Sequence, residues 1–471
     1  MASEVVGKAP GRLSILGALT FAVASLPLYA VDVAMLIYLP PHLSGHLGVP
    51  LSVVGGAWAT VRLLDIFVDP VLGVVMDATR SRFGRYRPWM VAGVPILMAA
   101  TWMLFFAKPG VGGLYLVGWL LALYLGRSIL HLAHPAWAAT LAKSYNERSR
   151  LYGIMAAVGV ASALMVLSLP VINAALHGPD SRNIELMGWF VIGLAPVMVG
   201  LAVWRTGERI SPSTHAGGPN LTDYLRLLTK PDLVRLYLSH IALTLGPGWM
   251  TALYIFFTRD YKGLSASQAS ILLLVYTVAG LFGAPMTAHL ATKIGKHRTL
   301  MAATTAYALG LGTIMITPYG SVWGAVPTML WCGFMALGFE LSIRSMLADV
   351  ADEVRLEQGR ERLSLIYALN TLSVKIAAAL AIGITFPLLD RLGYVAKAGA
   401  KNTPEAISAL GLVFVSGPIF FVLVGGACVL GWKMTAERHA KVREELDRLD
   451  VLAGLGEPDV EPHVGLAAPN R

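Results

Sequence analysis

The stretch Trp58–Met90, WATVRLLDIFVDPVLGVVMDATRSRFGRYRPWM, decides the reading of this chain. Its first part is apolar enough to cross a bilayer, yet it carries Arg62, Asp65 and Asp69, followed by Pro70. The three charges fall at i, i+3 and i+7 and so share one helix face. Ionisable groups at membrane depth are costly and face a bundle interior or a water-filled cavity. Pro70 also removes the helical bond to the carbonyl of Ile66, which lies between the two aspartates. Two carboxylates and a freed carbonyl are hard oxygen donors suited to a small cation such as Na⁺. The same carboxylates can instead carry a proton if burial favours the neutral form. The competing reading is a buried Arg62–Asp65 ion pair that only joins helices. Two acids and one arginine leave a charge to be balanced, which favours ion coupling.

Outside this stretch the pattern is that of a membrane protein. The 471 residues are 56% hydrophobic and 14% charged, whereas a soluble domain carries about 25% charged residues. Apolar runs of roughly 20 residues recur, the length that spans a bilayer. The expected fold is all-α and integral to the membrane, with spans at about 13–39, 51–76, 89–108, 112–138, 151–175, 185–206, 236–258, 267–291, 299–318, 322–347, 364–390 and 405–432. The expected organisation is a first six-helix bundle over 1–206, a central loop over 207–235, a second bundle over 236–432 and a tail over 433–471. The tail reads as a short helix followed by a disordered end. Cys332 and Cys428 lie in apolar runs and read as packing residues.

The net charge of +9 is not a nucleic-acid signal, because it is sorted by side. Arg80, Arg82, Arg85, Arg87, Lys293, Lys296, Arg298, Lys433, Arg438, Lys441 and Arg443 fall on one side, with a basic central loop. The other side is sparse. Both termini are therefore expected in the cytoplasm, in a multi-pass protein of a bacterial-type inner membrane. No cleavable signal peptide is evident. GVVMDATRSRFGRYRPWM and MTAHLATKIGKHRTLM occupy corresponding places in the two halves, a weak internal repeat of the type related by an axis along the membrane normal.

Other polar residues interrupt the spans. Asp32, with Tyr29 one turn before it, suits either a cavity role or a satisfied acid near Pro40 and Pro41. Tyr124, Arg127, His131 and His134 form one stripe ending at Pro135, either lining a cavity or forming a polar seam; no carboxylate or cysteine nearby makes the histidines a metal site. Glu340 and Arg344 are one turn apart and can neutralise each other. His240 stands alone and reads as packing. Tyr367, Thr371 and Lys375 repeat at i, i+4 and i+8, and a buried lysine needs a carboxylate, for which Asp65 and Asp69 are the obvious partners. The alternative is a lysine snorkelling to the interface.

DIFVDPVLGVVMDATRSRFGRYRPW resembles the signature of the glycoside–pentoside–hexuronide:cation symporters of the major facilitator superfamily. HPAWAATLAKSYNERSRL and MLADVADEVRLEQGRERLSLIYALNTLSVK resemble two further elements of that family. The resemblance implies twelve transmembrane helices in two six-helix bundles, alternating access, and coupling to H⁺ or Na⁺ through Asp65 and Asp69 with Lys375 beside them. It implies that Asp77, Arg80, Glu147 and Arg148 are gating charges of the cytoplasmic side. The sugar-binding acids of the melibiose-transporting members align with Tyr29 and Ala133, their fifth-span arginine with Ala156, and their tryptophan platform with Glu340. Their Na⁺-binding hydroxyl aligns with Leu130, which tilts the expectation toward H⁺ unless water or Ser128 substitutes.

The function expected is cation-coupled symport of a sugar, glycoside or hexuronate. Tyr29, Asp32, Arg127, His131, His134, Glu340, Arg344, Tyr367 and Thr371 are the candidate substrate residues. The alternatives are symport of an amphiphilic or anionic substrate such as a lysophospholipid, a uniporter, or a sensor. No P-loop, zinc motif or nucleophile elbow suggests an enzyme. The expected partners are a small-molecule substrate and membrane lipid, with no nucleic acid and no cofactor beyond the coupling ion, and the expected state is a monomer.

Overall fold

A computed structural model describes residues 14–79, 81–141, 145–208, 227–359, 363–397 and 399–452. The described residues form helices and connecting turns. The first six long helices are α1 (Ile15–Gly45), α2 (Leu51–Ala78), α3 (Arg87–Phe105), α4 (Gly113–Leu141), α5 (Tyr145–Ala175) and α6 (Arg182–Arg205). Then follow α7 (Pro231–Tyr261), α8 (Ala266–Ile294), α9 (Lys296–Ile316), α10 (Val322–Gln358), α11 (Leu363–Arg391), α12 (Pro404–Ala427) and a final α13 (Ala436–Leu452). Eleven of these are long and apolar enough to cross a membrane. The twelfth span, α2, has the length at 28 residues but carries the three charges.

The bounds differ from expectation where local chemistry allows. The first span continues past Pro40 and Pro41 to Gly45, because the two prolines sit in the first turn of a new helical segment after a π-helical turn at Ala34–Tyr38. There the missing N–H of proline costs little. The tenth runs to Gln358, beyond the expected 347, and ends where Gly359 takes φ 64°, a left-handed stop that glycine supplies.

The internal repeat reappears in the packing. Helix α1 packs on α5 and α6, α2 on α4, and α3 on α4 and α6. Adding six to each label gives the second set: α7 on α11 and α12, α8 on α10, and α9 on α10 and α12. The two sets meet through α2 with α11 and α5 with α8, which are themselves equivalent pairs. Tight approaches between the sets lie on the side opposite the basic loops. A Cβ on Gly55 would stand 3.0 Å from Phe386 Cβ, and one on Gly383 2.9 Å from Ala59 Cβ. Tyr38 Oη lies 2.7 Å from Ser270 Oγ across the same junction.

On the basic side, the carboxylate of Glu208 accepts from the backbone N–H groups of Arg85, Tyr86 and Arg87 at 2.8–3.1 Å, capping the start of α3. Gly84 makes room for it at φ 114°. Helix α13 is tied to α10 by Arg438 on Glu353 (2.5 Å) and His439 on Asp352 (3.0 Å). A cavity of about 720 Å³ lies beside it, between the α8–α9 turn, α10 and the start of α13.

Candidate functional site

The acids of α2 meet the lysine of α11. Lys375 Nζ stands 2.8 Å from Asp65 Oδ2, 2.5 Å from Asp69 Oδ2 and 2.9 Å from the backbone carbonyl of Asp65. Asp65 is 2% exposed. Its second oxygen accepts from Ser128 Oγ on α4 at 3.0 Å. The aspartates face inward because they lie one turn apart on the α2 face that meets α4 and α11. The ammonium thus sits in a nest of three oxygens, where a small cation would find its ligands. The lysine reaches the carbonyl of Asp65, the neighbour of the Ile66 carbonyl that Pro70 leaves without a helical donor. Snorkelling does not describe Lys375, whose side chain is 12% exposed.

Arg62 does not join this nest. It is buried with its guanidinium 4.7 Å from the centre of the Tyr124 ring, and its Nε has no hydrogen-bond partner. Among the described contacts no Arg62–Asp65 ion pair occurs, so the purely structural pair does not form. The cation rests on the π-face of Tyr124 instead.

A second cluster lies between α1 and α4. Asp32 is held by Arg127 Nε on one oxygen and by His131 Nε2 at 3.2 Å on the other. The Tyr29 ring is tilted against that of His131, ring centres 6.0 Å apart, and Tyr29 is 40% exposed. It lies within electrostatic reach of Asp32, Arg127 and, from the second half, Arg344. His134 is not part of this cluster. It is 1% exposed, its Nε2 meets the carbonyl of Phe21 at 3.1 Å, and its ring packs on Phe21. Its place in the stripe therefore serves the α1–α4 contact and not a cavity wall. The stripe follows helical spacing, but its last member has turned past the open face.

The third cluster gathers α7, α10 and α11. Glu340 binds Arg344 Nε through Oε1 and His240 Nε2 at 2.7 Å through Oε2. His240 Nδ1 lies 2.6 Å from Asn370 Oδ1. The expected packing role of His240 is thus replaced by a polar one. Tyr367 donates to the carbonyl of Arg344 at 3.1 Å, while the Thr371 hydroxyl donates to the Tyr367 carbonyl of its own helix at 3.0 Å. Sequence reasoning missed His240, Asn370 and the partner of Arg127. Their only sequence signal is an ionisable or amide side chain in mid-span, since partners lie 95 to 130 residues away.

Of the expected gating charges, Glu147 and Arg148 lie at the start of α5. Arg148 Nη2 makes one long contact, 3.4 Å, to the Ala139 carbonyl, and Glu147 sits in the first turn of α5. The side chain of Asp77 and residue Arg80 lie outside the described residues.

Two equivalent six-helix sets joined by a buried acid–lysine cluster define a membrane transporter of the major facilitator type, not an enzyme. A profile of the family described as MFS/sugar transport protein matches residues 20–435. The chain belongs to that family, among the glycoside–pentoside–hexuronide symporters. It is 24% identical to an isoprimeverose transporter of Lactiplantibacillus pentosus, over 82% of each chain. It is 23% identical to a glucuronide carrier protein homolog of Escherichia coli, over 87% of this chain and 91% of that one. It is also 22% identical to the sphingosine-1-phosphate transporter MFSD2B of Mus musculus, over 90% of each. The fold matches the nucleoside transporter NupG, with TM-score 0.69 at 10% identity over 88% of this chain and 99% of that one. It also matches a bacterial homolog of the lysosomal transporter Spinster in an inward-facing conformation, with TM-score 0.60 at 14% identity over 93% and 98%.

Proposed function

We propose that this chain carries a glycoside into the cell by cation symport. The observation that supports this best is Lys375 bound to both Asp65 and Asp69 across the two halves. The lysine holds the nest together. A Na⁺ or H⁺ entering on the aspartates offsets one of their two negative charges, weakens their hold on the ammonium and loosens the α2–α11 contact. Ion binding is then linked to the packing on which alternating access depends. Ser128 supplies a neutral oxygen beside Asp65, standing in for the hydroxyl absent at Leu130. That suits Na⁺ as well as H⁺.

The substrate would lie between Tyr29, Asp32, Arg127 and His131 of the first half and Glu340, Arg344, Tyr367 and Thr371 of the second. A carboxylate–guanidinium pair in each half balances its own charge and offers acceptors and donors to neutral hydroxyls. This favours a neutral sugar over a lysophospholipid head. Arg127 is engaged by Asp32 and His134 is buried elsewhere, so no free cationic stripe awaits an anion. The basic loops and both termini are assigned to the cytoplasm by the positive-inside rule, in a monomer of the inner membrane.

The test is uptake into proteoliposomes of isoprimeverose, methyl β-D-glucuronide, lactose and a lysophospholipid, with Na⁺ and pH gradients imposed separately. Accumulation driven by one gradient and lost in Asp69→Asn supports symport and names the ion. Equilibration indifferent to both gradients would return Asp65, Asp69 and Lys375 to a structural role.

A further inference from the structure

His240 stands at the point where α7, α10 and α11 converge. Its side chain is 3% exposed, and both ring nitrogens are engaged, Nδ1 by Asn370 of α11 at 2.6 Å and Nε2 by Glu340 of α10 at 2.7 Å. The ring is therefore fixed in position and in rotation. Glu340 is 39% exposed and Arg344 63%, so these two can be reached where His240 cannot. One turn before His240, Tyr237 Oη donates to the Ile366 carbonyl at 3.2 Å, which pins α7 to α11 at the same level. A carboxylate has about four acceptor positions, and His240 and Arg344 use one on each oxygen. With 39% of its side chain exposed, Glu340 keeps acceptor positions that a ligand can reach.

We infer that Glu340 is the acceptor for substrate hydroxyls in the second half, and that His240 is the positioning residue that sets its carboxylate, with Asn370 setting the ring. The inference rests on the transport reading above and adds the residues that decide affinity. Glutamate is a long and rotamer-rich side chain. Left free at the edge of a cavity, it would have to be ordered by each arriving substrate, at the expense of affinity. The histidine orders it beforehand. Because His240 never meets the substrate, its loss acts on the bound geometry and leaves the coupling nest of Asp65, Asp69 and Lys375 intact.

The two amide replacements of His240 separate this role from plain packing. Glutamine can place its amide nitrogen near the position of Nε2 and keep the bond to Glu340. Asparagine reaches only the position of Nδ1, so it keeps Asn370 and loses Glu340. For whichever of isoprimeverose, methyl β-D-glucuronide and lactose the wild type takes up, His240→Asn is expected to raise KM about tenfold, the size of one lost hydrogen bond to a charged group, with Vmax within about twofold. His240→Gln is expected to restore KM to within about threefold of wild type. Asn370→Leu, which leaves His240 in place with its ring unanchored, is expected to raise KM with Vmax kept, and it decides the question if His240→Asn fails to insert. An unchanged KM in His240→Asn, or equal loss of Vmax in the glutamine and asparagine variants, overturns the inference while leaving symport intact. Absence of uptake by the wild type overturns the transport reading itself.

Discussion

Lys375 Nζ of α11 stands 2.5 Å from Asp69 Oδ2 of α2, and the same ammonium also closes on Asp65. One cation is therefore shared by two carboxylates, and the cluster keeps one negative charge. Replacing it by alanine leaves two like charges side by side at membrane depth, and stripping one partner from a buried pair costs about 3–5 kcal/mol. Lys375→Ala is expected to melt at a lower temperature than wild type, and to be restored by a cation that takes the ammonium's place. The check is Tm in NaCl or LiCl against choline chloride, and at pH 5 against pH 8. A Tm that responds to none of these would remove Asp65 and Asp69 as the ion site.

Arg127 and Asp32 join α4 to α1, with His131 on the second carboxylate oxygen. Arg127→Ala leaves Asp32 with the histidine alone and is expected to destabilise by roughly 3 kcal/mol and to abolish uptake. Asp32→Ala in the same chain removes the stranded charge and is expected to recover much of the Tm but none of the transport. Strictly additive losses in the double variant would show that the two side chains do not act as a pair.

Helices α8 and α10 touch backbone to backbone. A Cβ on Gly283 would stand 1.7 Å from the Phe334 carbonyl oxygen, and one on Gly333 2.1 Å from that of Tyr276. Neither atom can move without moving its helix. Gly283→Ala is thus expected to cost about 1–3 kcal/mol, the price of overpacking. Gly73→Ala meets nothing within 4 Å and should leave Tm unchanged or slightly raised. Equal behaviour of the two variants would contradict the close approach.

On the side opposite the basic loops, the turn after α1 carries His46 against the second half. A Cβ on Gly45 would lie 3.5 Å from Arg259 Nη1 and from the Ala396 carbonyl. His42 and His46 are stacked, ring centres 5.3 Å apart. Partial burial and the Arg259 guanidinium hold the His46 ring below its ordinary value of 6.5, with Asp180 pulling the other way. Arg259 is itself engaged by Asp260, which also meets Tyr394. A histidine whose proton is disfavoured in the closed arrangement supports closure when neutral. That support is present above pH 6.5 and is lost as the pH falls below it. Spin labels at Leu114→Cys and Trp323→Cys, with Cys332 and Cys428 replaced by serine, are expected to separate between pH 7.5 and 5. The separation should be reduced in His46→Gln. A pH response identical in that variant would discharge His46 from any part in closure.

Much of the fold was legible because a bilayer punishes exceptions. Each span must be long and apolar, so the positions of α3 to α9 could be read within a few residues. The acid pair and Lys375 were legible for the same reason reversed: a charge in such a run is too costly to stand alone. Spacing did less for the stripe of α4. Arg127, His131 and His134 share a helical period, but α1 lies close enough to claim Arg127 and His131 with Asp32 and to take His134 with the Phe21 carbonyl. Periodicity names a face and not the neighbour that covers it. The tenth span misled by length, because α10 continues as a helix beyond its apolar part to carry Asp352 and Glu353 to α13.

The sequence by itself determined that this chain crosses a membrane in two related sets of helices, and it singled out two aspartates and a lysine as the obvious partners inside them. Those conclusions follow from transfer energies, which depend on residue type and run length. Only the tertiary structure decided which polar groups meet: Ser128 with Asp65, Arg62 with the Tyr124 ring, and His240 between Asn370 and Glu340. These contacts join different helices, so they depend on how each helix is rotated about its axis. That rotation is set by close approaches such as Gly283 on Phe334 and Gly55 on Phe386, and by no property of a single span.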